Sequence, residues 1–347
     1  MRVGINGFGR IGRAIARINL ERNVFDLVAV NDVNPDPSNV AYLLKYDSVY
    51  GRLRYPVNAD GKSLFLNNGR SIALYCHEEI DAVPWADHNI DILIEATGVD
   101  KNLKTASQLP DPGFHHCIVT NSPDNGFGYK PVIVGVNEES VARSDRLLSS
   151  SICDANAVVP VLDLLDRNFG IEYGFLTTLH PWLNYQNLLD GPALSFSDPG
   201  SIHSTYVLGR ASAISLIPKT TSCLKASSKV LKGIDEKFIS LSYRVPTMIV
   251  SSADIMVKLR EDTSRDDVIH IFENAQKKQN YAVLYNNYEA LVSIDFVGFE
   301  HSSILDHRWT TVHMGSQLKL VLWYDNEWGY GSRVVDLIDY LAGLYAK

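Results

Sequence analysis

Short apolar runs alternate with amphipathic stretches along the first half of the chain. Val3-Gly4-Ile5-Asn6 predicts a strand, Arg10 to Glu21 a helix, and Leu27-Val28-Ala29-Val30-Asn31 a second strand. Further strands are expected at Ile90 to Glu95, Cys117-Ile118-Val119-Thr120, Val132-Ile133-Val134-Gly135-Val136 and Arg146 to Cys153. Alternation of this kind implies an α/β fold with a doubly wound parallel sheet. Residues 33 to 90 are less regular, with turn signals at Pro35-Asp36-Pro37 and Asn67-Asn68-Gly69.

Beyond Cys153 the period changes. A helix from Cys153 to Asn168 leads into longer runs of period-two alternation at Phe238 to Val245, Met248 to Arg260, Leu291 to Gly298 and Leu318 to Tyr324. One helix interrupts them, with Ser264 as N-cap and Asp266-Asp267 in its first turn. Long strands with few crossover helices predict an α+β domain with a mostly antiparallel sheet. The expected division is a first domain over 1–152, a second over 153–331, and a C-terminal helix within 332–347 that completes the first. Pro181 to Gly209 is rich in Ser, Pro, Gly and Asn without periodicity, and a loop this long is usually functional or at an interface.

The length of 347 residues suits two domains with separate cores. A net charge of −8 argues against a nucleic-acid partner, and no run of apolar residues is long enough for a membrane span. The N-terminus opens on a strand rather than a signal peptide. Cys76, Cys117, Cys153 and Cys223 lie far apart with no CxxC spacing, which reads as reduced thiols in a cytoplasmic protein. The histidines, His115-His116 included, are scattered without metal-ligand spacing, so no metal is assigned.

Two constellations carry chemistry. Gly7-Phe8-Gly9-Arg10-Ile11-Gly12 is a GxGxxG between a predicted strand and a predicted helix, and Asp32 ends the next strand. That context fits a dinucleotide loop: glycines let backbone N–H groups approach a pyrophosphate at the positive end of a helix. Asp32 would accept from the ribose hydroxyls and repel a 2′-phosphate, so NAD is favoured over NADP. Asn6 opens this loop, and Thr97, Gly98 and Asn121 lie just beyond later strand ends, where such a cofactor is lined. In the second half, Cys153 opens a helix and His180 closes an apolar run, Phe175 to His180. A thiol at a helix N-terminus with a nearby imidazole is what covalent catalysis requires.

These motifs resemble those of the glyceraldehyde-3-phosphate dehydrogenase family, including its erythrose-4-phosphate dehydrogenase branch. The likeness spans Ile5 to Arg13, Lys45 to Gly51, Glu95 to Val99, Thr177 to His180, Tyr243 to Thr247 and Trp323 to Tyr330. It implies an NAD-dependent aldehyde dehydrogenase with an NAD-binding and a catalytic domain, usually a homotetramer, that oxidises a small phosphorylated aldehyde through a thioester. By position, Cys153 matches the nucleophile and His180 its base. Asn326 matches the asparagine that orients the nicotinamide carboxamide, with Tyr330 nearby. Arg244 and Thr221 match phosphate-binding residues, Arg210 and Lys219 add positive charge, and Pro181 to Gly209 matches a loop near a neighbouring subunit's cofactor.

The pattern breaks around the nucleophile. The family's Ser-Cys-Thr-Thr-Asn-Cys is Ile152-Cys153-Asp154-Ala155-Asn156-Ala157 here. Leu183 and Tyr185 replace two threonines, and Ser222 a glycine. A carboxylate at 154 opposes a phosphate dianion by about 1 kcal/mol in water at 4 Å. Asp154 is then either a substrate contact or simply a favourable first-turn carboxylate. The acyl acceptor stands between phosphate and water, the substrate between glyceraldehyde-3-phosphate-like and erythrose-4-phosphate-like aldehydes. A catalytically weakened NAD-binding paralogue with a regulatory or interaction role is the reading from another class. Unless Asp154 points away, the thiol is expected to be less acidic than is usual for the family.

Overall fold

The computed structural model describes residues 1–66, 69–109 and 113–346 and divides into two compact units. The first comprises Met1–Val132, Glu139–Ser151 and Gly331–Lys347, and the second Ile133–Glu138 and Ile152–Tyr330.

In the first unit, β1 (Arg2–Asn6), α1 (Arg10–Arg22) and β2 (Asp26–Asn31) open a βαβ unit. α2 (Pro37–Lys45) and a small hairpin, β3 (Tyr46–Asp47) with β4 (Gly51–Arg52), follow. Next come β5 (Val57–Ala59), β6 (Ser63–Leu66), β7 (Ser71–Tyr75), β8 (Ile92–Glu95), α3 (Asp100–Gln108), β9 (His116–Val119), β10 (Lys130–Pro131) and β11 (Leu147–Ser149). The nine-stranded sheet runs β10-β11-β9-β8-β1-β2-β7-β6-β5. It is parallel from β10 to β7, and only β6 and β5 pair antiparallel. β1 lies between β2 and β8, so the strand order reverses there, and the crevice beyond the strand C-termini is where such sheets bind ligands. Ile5, Val30, Ile94 and Ile118 are fully buried, the composition expected of a sheet covered on both faces.

The second unit begins with α4 (Cys153–Phe169) and β12 (Ile171–Pro181), then β13 (Ile217–Lys219), α5 (Cys223–Ser227), α6 (Ile234–Lys237), β14 (Phe238–Val245) and β15 (Ser251–Leu259). α7 (Arg265–Lys278), β16 (Leu284–Asn287), β17 (Ser303–Asp306), β18 (Thr311–His313) and β19 (Gln317–Tyr324) complete it. The sheet order is β13-β14-β12-β15-β19-β17-β16, with β18 on β19. Only β12–β14 and β16–β17 are parallel. Val158, Val161, Leu162 and Leu165 of α4 pack with Leu176, Ile255, Leu320 and Leu322 into the core. α7 starts at a capping box: Ser264 Oγ accepts from the Asp267 N–H while Asp267 accepts from the Ser264 N–H. α8 (Trp328–Ala346) ends the described chain, and its residues from Gly331 on belong to the first unit, where Asp336 pairs with Arg22 at 2.7 Å.

Three sequence expectations are corrected. Val132 to Val136 is not a strand, because Gly135 takes φ +88° and Asn137 Oδ1 accepts from the Ile133 N–H, closing a turn. Leu291 to Gly298 forms one 3₁₀ turn, Ser293–Phe296, whose entry is fixed by the Val292 N–H donating to Asp295. At Pro35-Asp36-Pro37 the signal marks a helix start, with Asp36 capping α2 by accepting from the Ser38 N–H. Asn67 and Asn68 lie outside the described residues.

Candidate active site

The first unit builds a glycine turn at the C-terminal end of β1. Gly7 has φ +93°, and a Cβ there would stand 2.6 Å from the Thr97 amide nitrogen. A Cβ on Gly12 would stand 2.2 Å from the Gly7 carbonyl oxygen, whereas one on Gly9 would meet open space. Two glycines thus permit tight packing and the third leaves room over the N-terminus of α1, whose N-cap offers no side-chain acceptor. Asp32 accepts from the Phe8 N–H at 2.7 Å and from the Asn34 N–H, so its carboxylate is fixed beside the turn. Buried Glu95 ties neighbouring strand ends together by accepting from Asn6 Nδ2, the Thr97 hydroxyl and the Thr97 N–H. Burial pushes its carboxyl up to about 7.

In the second unit the sheet register assembles a different cluster. Parallel pairing sets His180 opposite Arg244, and antiparallel pairing sets Ser251 opposite Tyr324. The ends of β12, β14 and β19 therefore share one edge with the start of β15. His180 follows Leu176 and Thr178 on the buried face of β12, toward α4. Ser151 takes φ +60° two residues before Cys153, and the N-cap residue Ile152 makes no side-chain cap hydrogen bond but packs with Ala155 and Val159.

Cys153 Sγ lies 3.6 Å from His180 Nε2 and 3.5 Å from Asp154 Oδ1. Asp154 Oδ1 accepts from the Tyr324 hydroxyl at 2.8 Å and stands 4.0 Å from His180 Nε2. Asp154 therefore points at the sulfur. His180 Nδ1 lies 3.0 Å from the Pro181 carbonyl; a proton on Nδ1 donated there would leave Nε2 free to accept. Arg244 Nη1 lies against the same nitrogen and also donates to the same carbonyl at 3.1 Å.

The electrostatics favour neutral partners. Burial, then the Asp154 carboxylate, pushes the Cys153 thiol well above its ordinary range, although Arg244 and the Asp154 N–H act the other way. Burial and then Arg244 pull His180 down to about 4, so the imidazole is uncharged at neutral pH. Lys219 is lowered by burial and Arg244.

Residues 1–103 match the NAD-binding domain of glyceraldehyde 3-phosphate dehydrogenase, and residues 152–326 match its C-terminal domain. The chain belongs to the glyceraldehyde-3-phosphate dehydrogenase family. It is 36% identical over 342 residues to glyceraldehyde-3-phosphate dehydrogenases 3 and 2 of Saccharomyces cerevisiae, covering 99% of each chain. Glyceraldehyde-3-phosphate dehydrogenase 2 of Kluyveromyces marxianus is 35% identical over 343 residues, again with 99% of each chain covered. The chain is accordingly an NAD-dependent oxidoreductase of this type.

Its residues fit the cofactor. In the first unit, besides the glycine turn, the Asn121 side-chain oxygen is buried with no partner among the described residues; in the second unit, taken by itself, the same holds for the Asn326 side-chain oxygen. A buried acceptor left unpaired costs about 1–3 kcal/mol, and the amide of a carboxamide would satisfy it. Asn6 is buried in the Glu95 network and also accepts from Asn31. Arg10 is paired with Asp47 at 2.6 Å, and Ile11 follows it in the first turn of α1. Gly98 takes φ +69°, and Tyr330 is buried in α8.

The substrate candidates separate. Asp154 and Arg244 join the cluster around Cys153. Thr221 is half-buried two residues before α5, where its hydroxyl accepts from the Cys223 N–H. Arg210 lies in the exposed loop, paired with Asp190 at 3.0 Å. Tyr324, which no sequence motif singles out, also joins the cluster through Asp154. It falls inside the Trp323 to Tyr330 motif, but nothing in that motif shows it meeting Asp154.

Proposed function

We propose that the chain oxidises a small phosphorylated aldehyde of the glyceraldehyde-3-phosphate class, with Cys153 as nucleophile, His180 as base and water as acyl acceptor. The observation that carries this reading is Cys153 Sγ at 3.6 Å from His180 Nε2. The thiol gives its proton to His180 as sulfur bonds to the aldehyde carbon, and the oxyanion takes that proton to give a thiohemiacetal. NAD, when bound, supplies the hydride acceptor. His180 Nε2 then takes the thiohemiacetal hydroxyl proton as hydride leaves carbon, giving the thioester on Cys153. Asn326 would hold the carboxamide, and Arg244, Lys219 and Thr221 would face the substrate's phosphate.

Asp154 supports water over phosphate as the acceptor. A carboxylate 3.5 Å from the sulfur repels an attacking phosphate dianion and can take a proton from attacking water. Water adds to the thioester carbon, the C–S bond breaks, and the acid and the Cys153 thiol are released. NADH formation from phosphorylated and unphosphorylated aldehydes, each with and without inorganic phosphate, tests this. Oxidation without phosphate is expected, and a strict phosphate requirement would overturn the choice of water.

We further propose a cytoplasmic homotetramer. On the outer sheet face of the second unit, Tyr173 and Phe175 of β12, Ile239 and Leu241 of β14 and Met256 of β15 are exposed together. Leu188, Leu189 and Tyr206 are exposed along the Pro181 to Gly209 loop. Surfaces of this kind mark protein contacts. Light scattering on the eluting protein should give four chains, and a monomer at micromolar concentration would refute the assembly. Free cysteines suit a reducing compartment. Among the described residues no helix is long and apolar enough to cross a membrane.

A further inference from the structure

Cys153, Asp154 and His180 each turn one metal-ligating atom toward the others, and all three atoms fall within 4.8 Å of one another. We propose that they form a zinc site, which takes the nucleophile and its base out of action when occupied. A tetrahedral zinc with bonds of about 2.0–2.3 Å to sulfur, nitrogen and oxygen sets ligand–ligand edges of about 3.3–3.6 Å. The sulfur–oxygen edge is 3.5 Å and the sulfur–nitrogen edge 3.6 Å. The nitrogen–oxygen edge is 4.0 Å, which a small rotation of the Asp154 carboxylate closes. Three protein ligands leave a fourth position for water, the arrangement of an open zinc site.

The surroundings also suit a metal. A ligating histidine usually donates its other ring N–H to a carbonyl or carboxylate, and His180 Nδ1 faces the Pro181 carbonyl at 3.0 Å. A ligating carboxylate is usually hydrogen-bonded in turn, and Asp154 accepts from the Tyr324 hydroxyl at 2.8 Å. A thiolate and a carboxylate would balance the charge of a divalent ion. Arg244, against His180, and Lys219 oppose any divalent ion, while the thiolate and imidazole donors select zinc over magnesium or calcium. Sequence spacing gives no hint of it, because the ligands come from a helix start and a distant strand end.

The test does not depend on catalysis. Metal-free protein is titrated with zinc chloride against a chromophoric chelator, and with cobalt(II) chloride while thiolate-to-cobalt absorption is recorded. One equivalent should bind, with the thiolate band present. Asp154→Asn and Cys153→Ser should each weaken binding by about 10-fold to 100-fold or more, with far-ultraviolet circular dichroism confirming that the variants fold. In the unmodified protein, zinc should slow alkylation of Cys153 by iodoacetamide while leaving exposed Cys76 unaffected. Absence of the cobalt–thiolate band, unchanged affinity in Asp154→Asn, or equal alkylation of Cys153 with and without zinc would overturn the site. Loss of dehydrogenase activity in a chain that still binds zinc this way would count against the catalytic reading alone.

Discussion

Tyr324 donates its hydroxyl proton to Asp154 Oδ1 at 2.8 Å, across 170 residues of sequence. The bond holds a carboxylate against the Cys153 sulfur. It is why Asp154 acts on Cys153 rather than remaining a solvated first-turn residue.

Removing the Asp154 charge should make Cys153 more reactive. Burial and then Asp154 raise the thiol, so its alkylation by iodoacetamide should climb with pH well into the alkaline range. Asp154→Asn should move that profile to lower pH and speed alkylation at neutral pH severalfold, because the carboxylate that opposes the thiolate is neutralised. An unchanged profile would show that burial alone sets the thiol.

The Tyr324–Asp154 bond should also be visible in stability. Tyr324→Phe leaves a buried carboxylate short of a donor and should lower the unfolding free energy by about 1–3 kcal/mol in urea titration. The same change in an Asp154→Ala background should cost much less, since the two residues act as a pair.

His180→Asn should reduce kcat by about 10²–10⁴-fold with little change in KM. Folded His180 protonates only near pH 4, so the acid limb of kcat/KM should fall there and not near the ordinary histidine value of 6.5. Between those values the unfolded chain binds the proton and the folded chain does not. Stability from this group therefore falls as pH drops from 6.5 toward 4. Glu95 has the opposite sense: its folded carboxyl stays protonated to about 7, so its contribution falls as pH rises from 4.5 to 7. Urea titrations of His180→Asn and Glu95→Gln across pH 4–8 separate the two.

Gly12→Ala should abolish tight NAD binding, because its Cβ would meet the Gly7 carbonyl at 2.2 Å and backbone cannot yield cheaply. Asp32→Ala should let NADP bind closer to NAD, narrowing the preference by about 10-fold to 100-fold as a charged acceptor worth about 1.5–3 kcal/mol is lost. Cofactor titration followed by protein fluorescence measures both.

Much of this was legible in the chain. The β1–α1–β2 run, its glycines and Asp32 are local features, and local periodicity and turn chemistry report them directly. Cys153 and His180 announced themselves as residue types at element ends. What remained hidden depends on register. Tyr324 reaches Asp154 only because β19 pairs with β15 and β15 with β12, which no window of sequence contains. Leu291 to Gly298 misled because alternating apolar residues over a few positions fit a strand and a single 3₁₀ turn alike. Val132 to Val136 misled because Gly135 and the Asn137 side chain outweigh the apolar run.

The central claim is an acyl group carried on Cys153. Rapid mixing of the enzyme with NAD and a phosphorylated aldehyde in phosphate-free buffer, quenched in acid and digested, measures it directly. A burst of NADH matching the enzyme concentration, with the acyl mass on the peptide containing Cys153, is the result expected. NADH formed at an undiminished rate by Cys153→Ser, or an acyl mass on any other residue, would contradict it.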